Sequence, residues 1–175
     1  MYPHFQSDQP APLDGYLPVE NARLYYRAIG QGQPILLLHG GPDFDHTYLL
    51  PDMDRLSDAF RLIYYDQRGR GKSSGNIQDV SLQSEIQDVE RLREYFQLES
   101  VAVLGHSWGG LLAMEYALRH PHRLSHLILM NTAPASYEDY LLVQQERRKS
   151  AAPDRYVSAR GHSFLTNYIW NFYPS

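Results

Sequence analysis

The hexapeptide Gly105-His106-Ser107-Trp108-Gly109-Gly110 lies between two segments of different periodicity. Before it, Val101-Ala102-Val103-Leu104 is continuously apolar and predicts a buried strand. After it, Leu111 to Leu118 predicts a helix that ends before Pro121. A serine between glycines at a strand-to-helix turn fits the pattern G-x-S-x-G, in which a sharp, strained turn projects the serine hydroxyl. Glycine has a steric job at positions 105 and 109, where a Cβ is expected to strike the adjoining strand or helix. The helix N-terminus places a partial positive charge beside the hydroxyl. Ser107 is therefore the candidate nucleophile.

Working outward, strands alternate with helices after an initial pair of strands. Tyr16–Glu20 and Ala22–Ala28 predict a hairpin turning at Asn21. Ile35-Leu36-Leu37-Leu38 predicts a central strand with both faces covered, broken at once by His39-Gly40-Gly41-Pro42. A helix is expected within Tyr48 to Ala59 once past Pro51, and a strand over Phe60–Tyr65. The apolar residues Leu82, Ile86, Val89, Leu92 and Phe96 make a single helical stripe, and Leu124–Met130 is a further strand. This order predicts an α/β fold, a mostly parallel sheet of about six strands with helices on both faces. Three segments follow from it: an irregular arm over 1–15, a core over 16–132, and from 133 to 175 the start of a cap or lid. The tail Phe164–Tyr173 is aromatic without a clear period, and fits a pocket cover, a core element or an exposed surface equally.

Composition narrows the function classes. A net charge of −4 gives no basic footprint for nucleic acid or an anionic membrane surface. No apolar run approaches the ~18 residues of a membrane-spanning helix, and the N-terminus has no signal-peptide pattern. With no cysteine there is no disulfide or thiolate metal site, and a cytoplasmic location is expected. The expected partner is a small-molecule or short-peptide substrate, with no metal or cofactor.

His39-Gly40-Gly41-Pro42, Asp66-Gln67-Arg68-Gly69-x-Gly71-x-Ser73 and Gly105-x-Ser107-Trp108-Gly109-Gly110, in that order, together resemble the α/β-hydrolase fold, most closely its proline iminopeptidase-like branch. The resemblance covers roughly residues 16–134. It implies that Ser107 attacks an acyl carbonyl to form an acyl-enzyme, with the backbone N–H groups of Gly41 and Trp108 as the oxyanion hole. That branch usually continues His-Gly-Gly-Pro with glycine. Here Asp43 follows, which bears on substrate preference. His39 is expected to anchor its loop by a hydrogen bond rather than act as base, and His106 to point into the fold. Gly71-Lys72-Ser73 resembles a phosphate-binding loop, but Asp66 stands where that motif needs its first glycine.

The fold needs an acid and a histidine after the nucleophile. His120, His122 and His126 sit at a helix end and a strand start, where structural or exposed roles are expected. Asp154 and His162 lie too close for the strands and crossover the fold places there, since a crossover takes at least ~10–12 residues. The expectation is thus a chain stopping inside the cap, its C-terminal strands, acid and base missing. Its turnover would be low and its open sheet edge prone to association. Glu138, Asp139 and Glu146 are cap carboxylates able to hold a substrate ammonium, or a solvated helix face. An esterase or lactonase of the same fold, and a non-catalytic module keeping its first half, are the competing readings. An epoxide hydrolase would place aspartate at 107.

Overall fold

The computed structural model describes residues 11–41 and 43–132, together with Leu142 and Gln145. The chain runs β1 (Leu13–Val19), β2 (Ala22–Ile29), β3 (Gln33–Leu38), β4 (Phe60–Tyr65), α1 (Leu82–Tyr95), β5 (Val101–His106), α2 (Trp108–Arg119) and β6 (Leu124–Met130). The strands form one sheet in the order β1-β2-β4-β3-β5-β6, parallel from β4 through β6, with the β1–β2 hairpin antiparallel at one edge.

The continuous apolar runs of β3, β4 and β5 occupy the parallel centre, where helical segments bury both faces. Alternate residues divide between two cores. Leu36, Leu38, Ile63, Tyr65, Val101 and Val103 pack against Ile86, Val89 and Leu92 of α1 and Leu112, Ala113 and Tyr116 of α2. Ile35, Leu37, Leu62, Tyr64, Ala102 and Leu104 turn to the other face, against Leu49, Leu50 and Met53. Helix α1 follows its predicted stripe and starts at a capping box in which Ser81 and Ser84 exchange hydrogen bonds.

Two expectations are corrected. The segment Tyr48–Ala59 is not an α-helix but two 3-10 turns, His46–Leu49 and Met53–Asp58. Pro51 interrupts it, leaving too few residues on either side to pay for a helical nucleus. The irregular arm expected through residue 15 gives way to β1 at Leu13, because Leu13, Asp14 and Gly15 pair with Ala28, Arg27 and Tyr26 of the longer β2.

Strand β6 is apolar from Leu127 to Met130, as an interior strand would be. Among the described residues only β5 pairs with it, and Leu127, Ile128 and Leu129 are 37%, 39% and 45% exposed. The segment expected to form a cap, 133–175, lies outside the described residues apart from Leu142 and Gln145, which are helical and exposed. No described helix is long and apolar enough to cross a membrane.

Because β3, β4 and β5 are parallel, the loops at their C-terminal ends gather on one edge of the sheet. The chain goes from β3 to β4 on one side and later to β5 on the other. The crevice between the β3 and β5 loops is therefore a topological switch point, the usual ligand position in open α/β sheets.

Candidate active site

Ser107 joins β5 to α2 with φ 53° and ψ −117°, a backbone conformation costing of order 1–3 kcal/mol for a non-glycine residue. Neighbours hold it there. Its N–H donates to the Met130 carbonyl (3.1 Å), and its own carbonyl accepts from Gly110 N–H (3.0 Å). The glycines leave room for the turn: a Cβ at Gly105 would lie 2.2 Å from the Gly109 oxygen, and one at Gly109 2.2 Å from the Leu38 oxygen. The expected steric reason for both glycines is thereby met. The Ser107 side chain is half-buried and makes no capping hydrogen bond, so its hydroxyl stands at the positive end of α2.

The His39–Gly41 loop lies against this elbow. A Cβ at Gly40 would sit 3.2 Å from Ser107 Cβ, and one at Gly41 3.3 Å from Trp108 Cδ1. Gly41, Ser107 and Trp108, far apart in sequence, are thus adjacent. His106 departs from expectation. Its ring does not turn into the fold but is half-buried beside Gly40, with Nδ1 2.6 Å from Tyr48 Oη. The physical reason is Gly40 itself, whose missing side chain leaves the space the imidazole fills. Tyr48, which sequence reasoning missed as a site residue, also accepts the Gly40 N–H at 2.6 Å.

His39 anchors the loop, as expected. It is fully buried, with Nδ1 2.5 Å from the Gly40 oxygen and Nε2 accepting from Gln67 N–H at 3.0 Å. Gln67 Nε2 donates back to the His39 carbonyl. Both ring nitrogens are engaged, which fixes the tautomer as Nδ1–H and removes His39 as a base. Burial pushes the ring down to about 4, the Gly40 hydrogen bond and the Asp66 charge countering only in part. An unfolded histidine gains its proton near 6.5, whereas this one resists until about 4. The stability His39 contributes is therefore present above pH 6.5 and drains as pH falls toward 4, by up to about 1.4 kcal/mol per pH unit. His106, also lowered by burial, acts in the same direction, while the raised Asp88 opposes both. The clean measurement is the His39 ring shift by NMR, which is expected to stay constant from pH 7 to pH 5. A midpoint near 6.5 would contradict the buried anchor.

Beneath the loop, the turn 66–74 is a brace. Burial alone would raise the Asp66 carboxyl, but hydrogen bonds from the His46 ring (2.7 Å), His46 N–H (3.0 Å) and Lys72 N–H (2.8 Å) hold it below its usual range. The phosphate-loop resemblance fails on the same geometry. The amides of Gly69, Arg70, Ser73 and Ser74 donate to backbone carbonyls and that of Lys72 to Asp66, so these five do not form a cradle for an anion. Arg68 makes a bidentate pair with buried Asp88, and Arg70 pairs with buried Glu85, which also accepts from Trp108 Nε1 at 3.3 Å. Helix α1 is thereby tied to the residue that follows Ser107.

A family profile described as the alpha/beta hydrolase fold matches residues 33–170. The chain belongs to the α/β-hydrolase family. It is 32% identical over 149 residues to a proline iminopeptidase of Saccharolobus solfataricus, covering 82% of this chain and 47% of that one. With a proline iminopeptidase of Lactobacillus helveticus the identity is 37% over 129 residues, 69% of this chain and 44% of the other. A solved structure of a proline iminopeptidase-related protein from Thermus thermophilus superposes with a TM-score of 0.69 at 25% identity, over 93% of this chain and 74% of that one. This chain spans about half the length of the curated relatives it matches.

A serine nucleophile at this position would need a base and an acid, and His39, His46, His106 and His120 are each engaged with other groups. His120 stacks on Tyr116 at the far end of α2, roughly 18 Å along a helix of this length. His122 and His126 are exposed, and His126 pairs with Ala102, four positions before Met130 at the elbow end of β6. His46 is locked to Asp66. Asp45, His46 and Asp66 bring three potential metal-ligand atoms within 4.8 Å, but Asp66 accepts three hydrogen bonds and Asp45 two from Thr47. The cluster therefore reads as part of the brace. Asp154 and His162, weighed in the sequence as partners of Ser107, lie outside the described residues, as do the cap carboxylates Glu138, Asp139 and Glu146.

Proposed function

We propose that this α/β hydrolase is a serine hydrolase of the proline iminopeptidase kind, releasing N-terminal residues from short peptides through an acyl-enzyme on Ser107. The observation that carries the reading is Ser107 itself, held in a strained turn at a helix N-terminus beside the Gly40–Gly41 loop. The named relatives support the substrate class. In this reading Ser107 Oγ attacks the acyl carbonyl and loses its proton to a base from outside the described residues. The backbone N–H groups of Gly41 and Trp108 take the developing oxyanion. The amine leaves with a proton, and water then hydrolyses the ester.

A fluorophosphonate probe tests the nucleophile. Mass spectrometry is expected to find one adduct, on Ser107, and none in Ser107→Ala. Modification elsewhere, or equal labelling of the variant, would overturn the assignment. Acyl transfer from proline β-naphthylamide, compared with p-nitrophenyl acetate, separates the aminopeptidase from an esterase. The proposal expects the proline substrate to acylate Ser107 preferentially.

A further inference from the structure

The hydroxyl of Tyr48 is a junction of three segments. It accepts the Gly40 N–H from the loop after β3 and lies 2.6 Å from His106 Nδ1 at the end of β5. Its own backbone belongs to the 3-10 turn His46–Leu49. The hydroxyl thus pairs with both groups at once, and which atom donates in the contact with His106 Nδ1 follows the imidazole tautomer. The turn bearing Tyr48 is itself fixed. Asp45 caps it, Asp66 at the end of β4 holds His46, and Leu49 is buried in the core. The position of the hydroxyl is therefore set by β4 and the core rather than by the loop it grips.

Burial does not explain why this residue is tyrosine. The residue is 40% exposed, with exposed Phe44 edge-on at 5.4 Å, and a phenylalanine would cover the same surface. What the hydroxyl adds is the pair of hydrogen bonds. The fit around the loop is tight as well: a carbon added to Gly40 would meet Tyr48 Oη at 3.1 Å, His106 Nδ1 at 3.2 Å and Ser107 Cβ at 3.2 Å. We infer that Tyr48 is a positioning residue of the Ser107 site, its hydroxyl clamping the Gly40–Gly41 loop onto the elbow so that the loop amide faces the tetrahedral adduct of Ser107. This rests on the reading of Ser107 as nucleophile. Without the hydroxyl, water can satisfy both half-open partners, so the fold survives while the loop loses its fixed distance to the serine.

Phenylboronic acid is the probe. Ser107 Oγ adds to the trigonal boron, an O–B bond forms, the hydroxyl proton passes to solvent, and a tetrahedral boronate anion results with no bond to boron broken. The adduct is followed by boron NMR and calorimetric titration. Tyr48→Phe is expected to bind about 10- to 100-fold more weakly than the wild type, as a small misplacement of an oxyanion donor does, with an unchanged melting temperature. Ser107→Ala should form no adduct. Independently, hydrogen exchange at the Gly40 and Gly41 amides should accelerate at least roughly tenfold in Tyr48→Phe, while Val103 and Leu104 remain as in the wild type. Unchanged exchange at Gly40 and Gly41, or equal boronate affinity in the two proteins, overturns the clamp. A wild type that forms no adduct overturns the nucleophile reading instead, and the exchange rates then decide the clamp alone.

Discussion

Gly109→Ala is expected to destabilise the chain by at least about 4 kcal/mol, although alanine is the better helix former by up to ~1 kcal/mol. The reason lies in the crossing of α2 over the end of β3. A Cβ at Gly109 would lie 2.2 Å from the Leu38 carbonyl oxygen and 2.6 Å from that of His39. Both obstacles are backbone. Leu38 pairs with Tyr65 on one side and Gly105 on the other, so it cannot move without opening the centre of the sheet. Overpacking against flexible side chains commonly costs about 1–3 kcal/mol, and a rigid backbone leaves no cheaper relaxation. Gly41→Ala is the control, because its Cβ would meet first a Trp108 side-chain atom at 3.3 Å. Thermal unfolding should show a fall of roughly 8–16 °C for Gly109→Ala and a much smaller one for Gly41→Ala. Similar melting temperatures for Gly109→Ala and the wild type would mean that α2 does not press on β3 as described.

Arg68→Ala is expected to cost about 3–5 kcal/mol at neutral pH, since it strands a buried carboxylate. Arg68 Nε and Nη2 hold Asp88 at 2.7 and 2.6 Å, and both side chains are buried. Burial raises the Asp88 carboxyl, and the hydrogen bond and charge of Arg68 offset this only in part. Removing Arg68 leaves burial unopposed, so the carboxyl should rise further and take up a proton on mild acidification. A carboxyl raised in the folded state favours folding at low pH and opposes it as pH rises through its folded value. The variant's deficit should therefore be larger at pH 8 than at pH 5 in urea unfolding. A deficit independent of pH would mean that the lost packing of the arginine, not the stranded charge, sets the cost. Arg91→Ala is the contrast. Arg91 pairs with Glu94 on the surface, 67% and 47% exposed, and its loss should fall within about 0.5 kcal/mol.

The two substitutions probe what the sequence does not print. The α1 stripe, the apolar runs of β3 to β5 and the glycines of the elbow are legible because each follows from local periodicity or from one backbone turn. His39 was legible as an anchor from its place beside the loop. Tyr48 and His106 were not, because their contact joins residues 58 positions apart across two strands. The His46–Asp66 pair is likewise a meeting of the turn after β3 with the end of β4, and no spacing rule announces it. The 3-10 form of His46–Asp58 reflects a competition between Pro51 and the surface it must cover, which the residues alone leave open.

By itself the sequence determined the α/β alternation, the central strands and the position of the strained serine, since apolar period and glycine spacing act within a few residues. Only the tertiary structure decided which loops surround that serine, how the braces at Asp66, Glu85 and Asp88 are paired, and where His106 turns. Those contacts exist because parallel strands bring distant chain ends to one edge of the sheet. There a hydrogen bond forms between whichever donor and acceptor the packing leaves within about 3 Å.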